Sequence, residues 1–183
     1  ADGMEAKYGV RPVVYVSNGY MTEVNDGLGY PWRPLLGFHT AEELELLIQR
    51  RGRADITDLR INDGITNREY QKRAIRSVCE RFNKKHRRTL LVMATGTGKT
   101  RVSISLTEVL KRNNWVKNVL FLADRTSLVR QAAKNYAKLL PNESTCILSD
   151  EREPDMNARI LFCTYQTMIN YIDTDTKEFS VGR

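Results

Sequence analysis

Apolar and polar positions alternate between two periods along this chain, and the change of period divides it. Residues 13–16 (Val-Val-Tyr-Val) form a β-branched run that ends in Ser17-Asn18-Gly19, the pattern of a buried strand entering a tight turn. Between Asp26 and Gly37 the residues Gly27, Gly29, Pro31, Pro34 and Gly37 come too densely for regular structure, so this stretch reads as a connector pinned by Trp32 or Phe38. Thr40 with Glu43 makes a capping box; Leu44, Leu47 and Ile48 share a helical face, and Gly52 supplies a stop. Thr66 with Glu69 repeats that signal, and Ala74, Ile75, Val78, Cys79 and Phe82 then recur at helical spacing to about residue 83.

From there the elements alternate. A strand is predicted at residues 89–93, then a glycine-rich turn, then a helix carrying Val102, Leu106, Val109 and Leu110. A strand at 119–123, a helix near 127–140, strands near 145–148 and 159–163, and a helix begun at Tyr165 complete the chain. The order is largely β-α-β-α-β. That alternation predicts an α/β fold, a parallel sheet with helices on both faces, because parallel neighbours need crossover connections.

Composition narrows the classes of function. The 183 residues are ordinary globular usage, enough for one domain and part of another. The longest apolar runs are about five residues against the roughly 18 that cross a bilayer, so no membrane partner is expected. The first residues carry neither a basic start nor an apolar signal core, and three scattered cysteines with two histidines offer neither a disulfide framework nor zinc spacing. A reducing cytoplasm is the expected setting. The formal net charge of +7 favours a polyanionic partner without identifying it.

The strongest chemical signal is Ala94-Thr95-Gly96-Thr97-Gly98-Lys99-Thr100, set between an apolar run and an amphipathic helix. Glycines let successive N–H groups turn inward, and a helix start adds positive potential where phosphate oxygens would lie. Thr95, Gly96, Thr97 and Gly98 would line the phosphates of a nucleotide. Lys99 would reach the β- and γ-phosphates as the catalytic cation, and the Thr100 hydroxyl would be one ligand of Mg²⁺. The strict pattern wants glycine where Met93 stands, and the bland alternative is a structural strand-to-helix turn.

With these residues in view the chain resembles superfamily-two helicase-type motors, and specifically the motor (R) subunits of type I restriction enzymes. Four segments carry the resemblance in order: residues 67–75 (NREYQKRAI), 90–101 (LLVMATGTGKTR), 119–132 (VLFLADRTSLVRQA) and 164–168 (TYQTM). It implies that residues 66–183 are the front of the first of two RecA-like motor lobes. It also implies that the nucleotide is ATP and that Arg68 and Gln71 help to read adenine, a role suited to an amide that both donates and accepts. Met93 fits the wording of this family. The resemblance further implies a parent that couples ATP hydrolysis to translocation on double-stranded DNA and to endonuclease cleavage, in complex with modification and specificity subunits.

Loops after the strands should share the carboxyl edge of a parallel sheet, which makes Arg125, Thr126, Thr164, Tyr165 and Gln166 candidate DNA-phosphate contacts. Arg125 could equally pair with a nearby acid, and Thr164 with Gln166 could cap their helix. Asp124 ends an apolar strand as a metal-positioning acid does, but the resemblance places it in a segment lying along DNA. The basic run Lys84-Lys85-His86-Arg87-Arg88 precedes the 89–93 stretch and reads as a solvated turn.

Residues 1–25 resemble the C-terminal tail of the nuclease domain of that family, with 26–65 a connector holding a short helix. No carboxylate cluster of a metal nuclease precedes residue 20, and no Asp-Glu pair follows Met168. The expectation is a fragment that binds nucleotide and does not turn over alone. Two rivals carry different chemistry. One is a P-loop kinase, which needs Asp124 at the metal; the other is a non-catalytic DNA-binding or subunit-docking module with an idle turn.

Overall fold

The computed structural model describes residues 2–53, 55, 56, 59–149 and 154–180, with side chains described except at 49 and 173–180. Two compact units make up the chain. One comprises residues 1–59, 73–92 and 113–115, the other residues 60–72, 93–112 and 116–183.

The first unit opens with helix α1 (Asp2–Tyr8) and an antiparallel sheet of strands β1 (Val14–Ser17), β2 (Thr22–Asn25) and β3 (Arg33–Leu35), in the order β1-β2-β3. The tight turn read after β1 is present. Asn18 Oδ1 accepts from the N–H groups of Tyr20 (3.0 Å) and Met21 (2.9 Å), and Gly19 takes φ 89°, a value open to glycine. β2 pairs directly with β1, Val14 opposite Asn25, and buries Val24. The expectation of irregular backbone across 26–37 is corrected at β3. Pro34 lies opposite Glu23 on the sheet edge, where a residue without an N–H costs no ladder bond on the open side. Phe38 does pin its loop, edge-on to Tyr15 at 5.2 Å.

Helix α2 (Ala41–Gln49) starts as its sequence dictates. Thr40 N–H donates to Glu43 Oε2 (2.8 Å) and Glu43 N–H donates to Thr40 Oγ1 (3.3 Å), so two otherwise unmatched donors of the first turn are satisfied reciprocally. It ends in a 3₁₀ turn, Arg50–Gly52. Helix α3 (Glu69–Asn83) buries Ile75, Val78 and Cys79, and Phe82 stacks on Trp115 at 6.4 Å. α3 begins at Glu69 and not at Asn67, where a Thr66 cap would have started it. Thr66 is buried instead, and its hydroxyl donates to Ser105 Oγ at 3.1 Å.

The strand predicted at 89–93 does not form. Leu90 is 84% and Val92 89% exposed, and no ladder partner is found for the stretch among the described residues. A short apolar run such as residues 90–93 can be a strand, but extended backbone is held as one only by the hydrogen bonds of a neighbour.

The second unit is built on a parallel sheet. Strands β4 (Val119–Ala123), β5 (Thr145–Ile147) and β6 (Ile160–Thr164) lie in the order β4-β6-β5, so the last strand is central. Helices α4 (Lys99–Arg112), α5 (Thr126–Leu139) and α6 (Tyr165–Ser180) complete it. Strand periodicity sorts the core onto two faces. Ile160 and Phe162 pack with Ile104 of α4 and Val129, Ala132, Ala133 and Tyr136 of α5. Cys163, one residue out of phase, packs with Cys146 and Leu148, and Met168 and Tyr171 of α6 cover them. The parallel sheet with helices on both faces is the α/β class read from the sequence. No helix among the described residues is long and apolar enough to cross a membrane.

All three cysteines are free and buried. Burial pushes the Cys79 thiol up to about 11, reinforced by Glu80. Because the folded thiol releases its proton at higher pH than the unfolded one, its contribution to stability is complete below about 8.5 and declines from there toward about 11. Native protein at pH 8 is therefore expected to react with a disulfide reagent at least about tenfold more slowly than urea-unfolded protein. Equal rates would contradict the burial of all three thiols.

A candidate nucleotide site at a glycine turn

The turn before α4 is set by two glycines. Gly96 (φ 79°) and Gly98 (φ 86°) both lie in the left-handed region, which L side chains rarely adopt. Gly98 has a second reason to lack a side chain, since a Cβ there would sit 2.5 Å from Gln71 Nε2. Between them Thr97 closes the loop: its N–H (3.4 Å) and hydroxyl (2.6 Å) both donate to Ala94 O. The loop is also tied from outside. Tyr70 Oη and Gln71 Nε2 each donate to Thr97 O at 2.9 Å, and Arg68 donates to Tyr70 Oη at 3.0 Å.

Gln71 is thus 3% exposed and is not the exposed helical glutamine that its polarity alone would indicate. Lys99, the first residue of α4, folds its ammonium back over the turn, 3.2 Å from Ala94 O and 3.5 Å from Met93 O. Met93, the departure from the strict glycine pattern, contributes a backbone carbonyl there, for which any residue serves. Thr100 follows on the first turn of the helix, half-buried; Thr95 is exposed.

A cavity of about 430 Å³ opens beside the turn, lined by Asn67, Arg68, Gln71, Gly96, Gly98 and Arg101, with no carboxylate among them. That volume lies in the range of small-molecule sites. The first N–H groups of α4 have no intrahelical acceptor, and their dipoles point positive charge at the turn. Arg101 is fixed by donating to Ile65 O at 2.8 Å. The arrangement fits an anion with several oxygen acceptors. Of the residues read from sequence, Arg68, Gln71, Gly96, Thr97, Gly98 and Lys99 come together here. Asn67 and Arg101 were missed as site residues, while Tyr70 lies inside the 68–71 segment that the resemblance implied. A signal for Arg101 was available, since it lies on the first turn of the helix that the glycine turn starts.

Mg²⁺ is a thinner fit. Thr100 supplies one hydroxyl, and no group of three or more metal-ligating side chains converges among the described residues. The donor set therefore matches a cation held mostly by phosphate oxygens and water.

The candidate DNA residues sit at one edge of the parallel sheet. Ala123 and Thr164 are in register, so the residues that follow β4 and β6 emerge side by side. Arg125 is exposed and Arg125 Nε pairs with the exposed Asp124 at 3.5 Å, the local pairing its sequence allowed. Thr126, Tyr165 and Gln166 are exposed at the starts of α5 and α6. Thr164 differs from them. It is 8% exposed, accepts from Thr167 N–H at 3.2 Å and bonds Thr167 Oγ1 at 2.9 Å, so its hydroxyl is spent on capping α6. Residues 89–93 being outside the sheet, the loop after Met93 does not follow a strand as expected.

A helix-flanked parallel sheet beside a glycine turn that opens onto a helix defines an α/β protein with a candidate anion-binding loop. Residues 64–183 match the family described as type III restriction enzyme, res subunit, and the chain belongs to that family. It is 46% identical over 65 residues to the endonuclease subunit of the type I restriction enzyme EcoKI of Escherichia coli strain K12, covering 36% of this chain and 6% of that protein. It is 43% identical over 72 residues to the EcoAI endonuclease subunit of Escherichia coli, covering 39% of this chain and 9% of that protein. A fragment described as an HsdR subunit of a type I restriction enzyme from Vibrio vulnificus YJ016 aligns with a TM-score of 0.46 and 23% identity, over 95% of this chain and 33% of that one. The chain thus matches only small parts of its curated relatives. The resemblance to type I restriction subunits read from the four segments is borne out.

Proposed function

We propose that this chain is the ATP-binding front of a type I restriction motor subunit. The single observation that carries the proposal is the turn itself: two left-handed glycines, a capped loop and Lys99 folded over it, beside a cavity free of carboxylates. Lys99 would leave the carbonyls of Met93 and Ala94 for the β- and γ-phosphates. Arg68 and Gln71, on the same cavity, would take the adenine edge, and Thr100 would hold Mg²⁺ with the phosphates.

Arg125, Thr126, Tyr165 and Gln166 would meet the phosphates of double-stranded DNA, with Thr164 positioning the last two through its cap. Residues 66–183 would be the front of the motor lobe, 1–25 the tail of a nuclease domain, and 26–65 their connector. The whole protein would couple ATP hydrolysis to translocation and cleavage within a cytoplasmic complex of modification and specificity subunits. The kinase alternative draws no support from Asp124, whose side chain is 66% exposed and paired with Arg125.

Hydrolysis needs in-line attack of water with charge neutralised by several groups at once, and of that set residues 66–183 would supply Lys99 and Thr100. Titration of the chain with Mg·ATP in a calorimeter is expected to give saturable heat, while phosphate release stays at background. Absence of binding would overturn the nucleotide site. Robust turnover would overturn the claim that the machinery here is incomplete.

A further inference from the structure

The unit that carries the antiparallel sheet holds a cavity of its own. It measures about 230 Å³, and Arg50, Arg51, Arg53 and Lys85 line it beside the rings of Tyr30 and Trp115. One carboxylate shares the lining, that of Asp55, which accepts from Asn83 Nδ2 at 2.6 Å. The sequence gathers the cations from two turns. Arg50, Arg51 and Arg53 follow the C-terminus of α2, where the helix dipole favours positive charge, and Lys85 lies in the 84–88 run at φ 65°.

Some of these charges are accounted for by the fold. Arg51 donates from Nε (3.3 Å) and Nη2 (3.0 Å) to Asp26 O, and also to Arg11 O. Arg87, read from sequence as a solvated turn residue, pairs at 3.0 Å with Asp26, which is only 3% exposed, and lies 4.1 Å above Tyr30. Arg53 has no such explanation. Its Nη1 reaches Tyr30 Oη only at 3.5 Å, and its Nε is buried without a hydrogen-bond partner. Burial lowers its pKa; Tyr30 opposes that shift, and the like charge of Arg50 adds to it. A buried guanidinium donor without an acceptor is costly, and the planar fork of arginine matches a phosphate.

We propose that this cavity is a phosphate site centred on Arg53 and flanked by Arg50 and Lys85, and that the phosphate it takes belongs to a nucleic acid backbone. The rings are not free for base stacking: Tyr30 is 8% and Trp115 7% exposed, with Arg53 5.1 Å over Trp115 and Lys85 5.6 Å over Tyr30. What remains is a sequence-independent backbone contact. Lys84 and Arg88, exposed in the same run as Lys85, add further positive charge, which suits a row of phosphates better than a single one. This site shares no residue with the glycine turn and stands whether or not that turn binds nucleotide.

The test uses the full chain with Trp32→Phe, which leaves Trp115 as the sole tryptophan reporter, and Lys99→Ala, which silences the glycine turn. Emission from Trp115 is followed while a duplex of about 12 base pairs, or pyrophosphate, is added at several salt concentrations. The duplex is expected to shift the emission, and Arg53→Gln to weaken that response about tenfold and lower the salt slope by about one. Pyrophosphate acting as well as the duplex would uphold the anion site and overturn its nucleic-acid source. Emission unmoved by either, or unaltered affinity in a folded Arg53→Gln chain, would overturn the site. Should Arg53→Gln fail to fold, Arg50→Gln at an exposed position carries the same test, with the same loss of about one unit of salt slope expected.

Discussion

Lys99→Ala is expected to lower the affinity for Mg·ATP by at least about 100-fold while leaving the fold intact. The size follows from what the ammonium would do on binding. Two charge-assisted hydrogen bonds to phosphate oxygens, at about 1.5–3 kcal/mol each, exceed the roughly 2.7 kcal/mol that a 100-fold change requires. The indifference of the fold follows from exposure. Lys99 is exposed, and Ala94 O keeps the N–H and hydroxyl of Thr97 when the lysine is gone. No buried group loses its partner, so the change in stability should stay within about 0.5 kcal/mol. Lys99→Arg retains the charge but replaces the compact ammonium by a larger planar guanidinium, and should fall between. Calorimetric titration checks the affinity, and thermal unfolding by circular dichroism checks the fold. Undiminished binding by Lys99→Ala would remove the turn as a nucleotide site.

Much of this site was legible because glycine and lysine spacing encodes local backbone geometry. Gly96 and Gly98 were read as turn residues and occupy the left-handed region, a requirement contained within a few residues of chain. The capping box of α2 was legible for the same reason. Thr66 shows where such reading stops. It carries the same spacing to Glu69, yet its hydroxyl is drawn to Ser105, 39 positions away, because burial at that point makes a tertiary partner more valuable than a cap.

Residues 89–93 failed as a strand on similar grounds, since a strand exists through its neighbours and none pairs with this stretch among the described residues. β2 and β3 were missed in the opposite sense. Their sequences are weak, and pairing with β1 makes them strands. Gln71 and Arg53 mark the remaining limit. Both are polar residues that composition assigns to solvent, and only packing reveals that one braces a loop while the other, half-buried, holds its Nε away from any acceptor.

Phe162→Ala should have the largest effect on stability. Phe162 lies on the central strand, fully buried, 5.2 Å from Tyr136 in an edge-on contact and 5.5 Å from Phe121. Truncation removes apolar burial and leaves a void that both rings border, which together cost about 3–5 kcal/mol. For a unit of this size that is a large share of the total, so the urea midpoint should fall by about 2 M if the unfolding slope is about 2 kcal/mol/M. Leu120→Ala, on the half-exposed face of β4, should shift it far less and serves as the control. The functional consequence is indirect but predictable. Ile104 of α4 belongs to the same cluster as Phe162, so the helix that begins at Lys99 rests on this core. Loss of the ring should therefore weaken nucleotide binding only in proportion to the population unfolded, and saturating ligand should recover part of the lost stability, about 2.7 kcal/mol at 100 times its dissociation constant. A Phe162→Ala chain that kept the urea midpoint of its parent would contradict the placement of this ring at the centre of the sheet.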